Sequence, residues 1–179
     1  MATHLIVISG CSAGGKSTLI DELTRRGHRT VPEPGRRVVA AELKRGGTAL
    51  PWVDMAAFAH RAIAMALEDR AALMDVGEPV IFDRGLVDAV AALVHIGEGR
   101  DERALLAAHR YHHRVFLAPP WEAIYESDAE RRHSFGDAVA EYDRLRTFYP
   151  KAGYDISILS RTSVGERADF IEAYLSRLG

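Results

Sequence analysis

Cysteine is nearly absent. Cys11 is the only one in 179 residues, so no intrachain disulfide can form and no cysteine-based zinc site can be built. That fits a reducing compartment. Charge of one sign is lacking as well. Lys and Arg number 23 against 25 Asp and Glu, a formal net charge of −2. No general polyanion-binding surface is implied, and nucleic acid is not an expected partner. Long hydrophobic runs are also missing. The apolar run near the N-terminus, residues 5–8, is too short for a signal-peptide core or a membrane span. The expectation is a cytoplasmic chain with no membrane partner. Nor are there repeats, low-complexity tracts or linker-like stretches to divide it. Residues 1–179 are therefore expected to form a single domain with a full hydrophobic core.

What is present is an alternation of short β-branched runs with longer helical stretches. Residues 4–9 read as a buried strand, 16–26 as a helix ended by Gly27, and 29–31 as a short strand closed by Pro32 and Pro34. Helices are predicted over 35–45 and 53–76, a third strand over 79–82, and helices over 86–96 and 102–111. A fourth strand over 114–117 precedes a charged, mostly helical stretch at 128–148. A fifth strand at 155–159 and a helix at 164–178 complete the chain. This pattern predicts a three-layer α/β/α fold, a five-stranded, mainly parallel sheet with helices on both faces. Such sheets bind ligands beyond the C-terminal ends of their strands.

The first strand runs straight into Gly10-Cys11-Ser12-Ala13-Gly14-Gly15-Lys16-Ser17, which satisfies G-x-x-x-x-G-K-[ST]. The glycines permit turns that aim successive backbone N–H groups inward as an anion nest. The helix that starts near Lys16 adds its partial positive N-terminus. Lys16 can reach the β- and γ-phosphates of a nucleotide, and the Ser17 hydroxyl is placed to ligate Mg²⁺. Thr18 completes the cofactor-binding stretch. A strand before the motif and a helix after it supply the confirming context, and the fold expectation narrows to the P-loop NTPase type. Cys11 lies inside this loop, where alkylation is expected to reach it; no catalytic thiol is indicated, because no nucleophile system surrounds it.

Two further strand ends carry charge. The second strand leads into Pro32-Glu33-Pro34-Gly35-Arg36-Arg37. A carboxylate between two prolines is held on a stiff, extended turn. Close to the γ-phosphate, Glu33 would accept the proton of an acceptor hydroxyl as a general base; otherwise it is a loop acid or a helix cap. The third strand ends at Phe82-Asp83-Arg84-Gly85. Asp83 stands where a Walker-B aspartate helps hold Mg²⁺, and Arg84 brings a fork of donors to the same sheet end. The plainer reading is a capping Asp and a surface Arg.

Together these motifs resemble the nucleoside and nucleotide kinases of the P-loop class. Deoxynucleoside kinases carry a Pro-Glu-Pro after the second strand, and Glu33 matches its glutamate. Glu33-Pro34-Gly35 also matches part of the Arg-Glu-Pro-Gly segment of thymidylate kinases, with Pro32 in place of the Arg. Asp83-Arg84 matches the acidic-Arg pair after the third strand, with Gly85 where those kinases carry Ser or an aromatic residue. The chain most closely resembles bacterial AAA-like predicted ATPases or kinases related to ribosylnicotinamide kinase. The resemblance implies a lid around residues 121–137, with Arg131 and Arg132 closing over the phosphates. The same segment also reads as a solvated helix.

An acceptor pocket is expected between the turn at Glu33 and the long third helix. Trp52, Phe58, His60 and Arg61 cluster near that helix's start. Phe58 and Arg61 are three apart and share a face, able to stack on and orient a planar substrate. An ordinary amphipathic helix has the same spacing. Arg36 and Arg37 would contact a phosphate or carboxylate of the acceptor; either reads equally as a surface charge at a helix start. His95, His109, His112 and His113 lack metal-site spacing and read as surface histidines. The leading expectation is an ATP-dependent, Mg²⁺-requiring kinase. Its partners are a nucleoside triphosphate donor and a small-molecule acceptor, and a homodimer is compatible with the sequence. A P-loop ATPase acting as a switch on a protein partner, or a nucleotide-binding module without turnover, remains open. No N-K-x-D guanine motif is present, and the chain has little room for the larger body of a motor-type AAA protein.

Overall fold

The computed structural model describes residues 4–12, 14–99, 102–125 and 134–178. Its centre is β1 (Leu5–Gly10), buried along its whole length. An unbroken apolar run has no solvent face, so it can rest only in the middle of a sheet covered on both sides. The neighbours are β3 (Val80–Asp83) and β4 (Arg114–Ala118), and the edges are β2 (Arg29–Val31) and β5 (Asp155–Ile158). The order is β2-β3-β1-β4-β5 and every pairing is parallel.

Alternating side chains divide the core between two faces. Ile6 and Ile8 of β1 join Ile81 and Phe116 against α1 (Lys16–Arg25) and α7 (Val164–Leu175). Leu5 and Val7, with Val80, Phe82, Val115 and Leu117, face the other way. There they meet α3 (Met55–Ala72), α4 (Leu86–His95), α5 (Glu102–Ala108) and α6 (Phe135–Lys151). The remaining helix, α2 (Pro34–Arg45), packs on α3 and α4 through Val38, Ala62 and Ala89.

The described elements sit close to where the sequence pattern puts them, residues 128–133 of the charged helical stretch lying outside the described residues, and three differences are instructive. First, α3 ends at Ala72 rather than at residue 76. Leu73 turns into the core, and residues 73–76 close with short i to i−3 bonds such as Val76 N–H to the Leu73 carbonyl. Second, α5 stops at Ala108, because Tyr111 is drawn beneath β3. Its ring meets Phe82 edge-on at 5.3 Å and its hydroxyl accepts from Leu86 N–H at 3.3 Å. Third, α6 runs on through Pro150 to Lys151. In the last turn a proline forfeits a single backbone donor, which the helix tolerates.

Behind the C-terminal ends of the strands lies a buried polar knot. Asp88 of α4 accepts from the Ser9 hydroxyl of β1, from Gly85 N–H at 3.0 Å and from the Tyr149 hydroxyl of α6 at 2.6 Å. It ties sheet, α4 and α6 together inside an apolar surrounding, where an unmade hydrogen bond is costly. Glu42 does similar work on the flank. Wholly buried in α2, it pairs with Arg45 and with Arg61 of α3, each at 2.5 Å, and accepts from Ala49 N–H at 3.1 Å.

Tyr149→Phe removes one donor from Asp88 without changing shape. It is expected to lower the unfolding free energy by about 1–3 kcal/mol, the range for a hydrogen bond to a carboxylate, measured as a shift in urea midpoint. Asp88→Ala is expected to cost more, because it strands three donors rather than one.

Candidate active site

At the mouth of β1 the backbone itself makes the site. Gly10 has φ 125°, and a Cβ there would drive into the Ala118 carbonyl of β4. Only glycine allows the loop to leave the sheet so close to its neighbour. Gly15, at φ 66°, is the residue from which α1 starts. The loop therefore feeds directly into the positive end of a helix. Lys16 is buried, and its ammonium donates to the Cys11 carbonyl at 3.0 Å. Cys11 is wholly buried, so the expected access for alkylating reagents is closed by the packing of the loop. Ser12 and Gly14 lie in the same loop, Ser17 and Thr18 in the first turn of α1; Ala13 is outside the described residues.

Asp83 ends β3 directly beside Ile8 in the register. It is 6% exposed, and its Oδ1 has no hydrogen-bond partner. Burial raises its carboxyl above the usual carboxylate range; the Lys16 charge pulls the other way and Glu33 adds to the rise. A nearly dry carboxylate oxygen without a hydrogen-bond partner, within the electrostatic reach of Lys16, has the chemistry of a hard-cation ligand. Among the described residues no cluster of three or more His, Cys, Asp or Glu could hold a metal on its own. Asp83 and the Ser17 hydroxyl thus fit an ion whose other ligands are phosphate oxygens and water.

Arg84 follows with φ 61°, the one non-glycine residue in the left-handed region among those described. Such a conformation costs of order 1 kcal/mol or more and persists where its surroundings fix it. Here the fixing groups are two carboxylates. Arg84 NH1 meets Glu141 of α6 at 2.7 Å, and its Nε stands 3.4 Å from Glu33 Oε1. Burial opposes the Arg84 charge, but Glu141 and Glu33 outweigh it and hold the group fully ionised. Burial likewise works to raise Glu141, yet Arg84 keeps that carboxyl below its ordinary value.

Glu33 sits at the start of α2, ahead of Pro34, but its side chain makes no capping bond. It pairs instead with Arg36 at 3.3 Å and with Arg84. The ring of Phe58 closes over the same turn: a Cβ on Gly35 would stand 3.2 Å from Phe58 Cζ and 3.5 Å from Glu33 Oε1. Lys16, Glu33, Asp83, Arg84 and Phe58 are thereby gathered at one end of the sheet. Arg37 and Arg61 are drawn elsewhere, Arg37 to Asp69 at 2.6 Å and Arg61 to Glu42. Arg131 and Arg132 lie outside the described residues. The histidines correct one expectation. His112 is buried rather than on the surface, its Nδ1 accepting from Arg114 N–H at 3.1 Å and its ring edge-on to Tyr174 at 5.6 Å.

Two residues at this site carry no sequence signal. Glu141 is one acid in a charged helix, and nothing in its spacing singles it out. Arg167 of α7 donates to the Gly14 carbonyl at 2.9 Å, although it belongs to no motif.

Solved structures with the same fold include two kinases and the NadR protein. Deoxyadenosine kinase from M. mycoides, solved with products dCMP and dCDP, superposes with a TM-score of 0.66 at 15% identity, covering 98% of this chain and all of that one. NadR protein in complex with NR gives 0.73 at 14% identity, over 97% of this chain and 51% of that one. Shikimate kinase from Acinetobacter baumannii, bound to shikimate, gives 0.59 at 15% identity, over 97% and 93%. No curated protein matches the sequence. At these identities the likeness is one of fold, an all-parallel sheet around a P-loop. Residues 5–167, nearly the whole chain, match the AAA domain family, and to that family the protein belongs.

Proposed function

We propose that the protein is an ATP-dependent phosphotransferase acting on a small hydroxyl- or phosphate-bearing acceptor, nucleoside- or nucleotide-like in kind. The observation that carries this reading is the position of Glu33. It is a carboxylate that caps nothing, held by Arg84 and Arg36 beside Asp83 and Lys16 at the mouth of the P-loop. Acceptor chemistry of this kind also agrees with the deoxyadenosine kinase, NadR and shikimate kinase structures that share the fold.

In this proposal the loop amides and Lys16 bind the phosphate chain and orient it. Ser17 and the orphan Oδ1 of Asp83 would hold Mg²⁺, which, when bound, neutralises charge on the terminal phosphate oxygens. Arg84 presents its guanidinium to the same oxygens, with Glu141 fixing its direction. Glu33 takes the proton of the acceptor hydroxyl or holds that hydroxyl in line. Phe58 forms the apolar wall of the acceptor side. Arg131 and Arg132 are proposed to close as a lid. Arg37 and Arg61, committed to Asp69 and Glu42, serve to hold α2 on α3.

A screen of ADP release over nucleosides, nucleoside monophosphates, hydroxylated cofactor precursors and sugars tests the proposal. Release is expected to rise with one acceptor class, and Glu33→Gln is expected to reduce that stimulated rate by about 100-fold or more, the usual scale of general-base catalysis. ADP release indifferent to every acceptor but raised by a protein partner would make the chain a switch instead. Lys16→Ala is expected to abolish turnover in either case.

A second expectation concerns pH. The folded-state pKa of Asp83 lies above its unfolded value. Its contribution to stability is therefore fully present below the unfolded carboxylate range and is lost as pH rises through the raised folded value. Asp83→Asn, neutral at every pH, is expected to melt higher than wild type at neutral pH without nucleotide. The gap should shrink as the solution is acidified. The same variant is expected to lose the Mg²⁺ dependence of nucleotide binding, followed by calorimetry.

A further inference from the structure

Arg167 lies in the first turns of α7, 4% exposed, on the face of the sheet opposite Glu33 and Glu141. One amino group donates to the Gly14 carbonyl at 2.9 Å. The other, NH1, lies 3.0 Å from where a Cβ on Gly15 would stand. Its Nε has no acceptor. Among the described residues no carboxylate pairs with it, and burial alone works against its charge. The adjacent Glu166 is turned away, capping α7 through Ser163. Arg84, at the same end of the molecule, has two acids beside it. A buried guanidinium without a counter-charge is expensive, and this one stands at the rim of an anion nest.

The peptide unit that carries the Gly14 carbonyl carries the Gly15 N–H on its opposite side, because the unit is planar and trans. A cation hydrogen-bonded to the oxygen fixes the orientation of the whole unit. It also polarises the unit, so that the N–H becomes a stronger donor. We propose that Arg167 is a positioning residue for polyphosphate binding: it pins the Gly14–Gly15 peptide with its N–H available to the loop's hollow, and the phosphate chain supplies the negative charge that the protein withholds from it. This explains why so costly a group is kept in the helix that follows β5, far along the chain from the loop it touches. The inference rests on the phosphate-binding reading of residues 10–17.

The test uses the full chain and two probes, Mg·ADP and inorganic tripolyphosphate, titrated calorimetrically. Wild type is compared with Arg167→Met, Arg167→Gln and Arg167→Lys, and each unliganded protein is melted. Met and Gln are expected to weaken both probes by the same factor, about tenfold or more, the scale of one charge-assisted hydrogen bond. Lys is expected to restore most of the tripolyphosphate affinity. The unliganded melting temperature of the Met and Gln variants should not fall, because the cation they remove has no partner to lose but a carbonyl. If the Met variant does not fold, the polar but uncharged Gln variant decides the matter. Unchanged affinity for tripolyphosphate in the folded neutral variants overturns the proposal, whether ADP binding weakens alone or the melting temperature drops. If wild type binds neither probe, the phosphate-binding reading itself fails, a result distinct from the first.

Discussion

Charge confined in a nearly dry space governs this molecule. The ends of β1, β2 and β3 bring Lys16, Glu33, Asp83 and Arg84 to one place, and α6 adds Glu141. The balance is close but incomplete. Asp83 is buried enough to resist ionisation and keeps an oxygen without a partner. Arg84 is held in a backbone conformation that non-glycine residues avoid. Local rules are broken here together, and a fold tolerates that where the broken rules serve a ligand. Most of the rest of the structure follows local rules, with apolar strands, serine caps on α6 and α7 and paired surface charges, and Arg167 is a further exception.

The scaffold holds this cluster from both sides of the sheet. On one side the Asp88 knot joins β1, α4 and α6, so that Glu141 approaches Arg84 on a fixed helix. The Glu42 pairs lock α2 onto α3, which steadies the turn carrying Glu33 and brings Phe58 across it. On the other side α7 packs against α1 and delivers Arg167 to the P-loop backbone. Groups that would orient a substrate thus stand on rigid elements whose own rotamers are fixed by a second layer of hydrogen bonds.

Much of this was legible in the sequence. The phosphate loop was, because its chemistry is backbone chemistry and its residues are contiguous. So was the parallel sheet, because strands buried on both faces must read as unbroken apolar runs. Asp83 and Glu33 were legible through a topological rule that sends the C-terminal ends of parallel strands to one edge. What spacing does not show is where a side chain finds its partner through the fold. Arg61 and Phe58 share a helical face by spacing, yet Phe58 turns to Glu33 while Arg61 is taken by Glu42. His112 seemed a surface residue, but the strand that follows it pulls it beneath Tyr174.

The sequence by itself determined the glycine-rich loop between β1 and α1, the strand and helix alternation and the identity of the acids at the strand ends, because short-range sterics and periodicity dictate each of them. Only the tertiary structure decided which charge faces which. Glu141 meets Arg84, and Arg167 meets Gly14, across stretches of chain far too long for any local rule to reach. The physical reason is that a hydrogen bond or ion pair depends on a few tenths of an ångström, and that distance is set by how whole helices settle on the sheet.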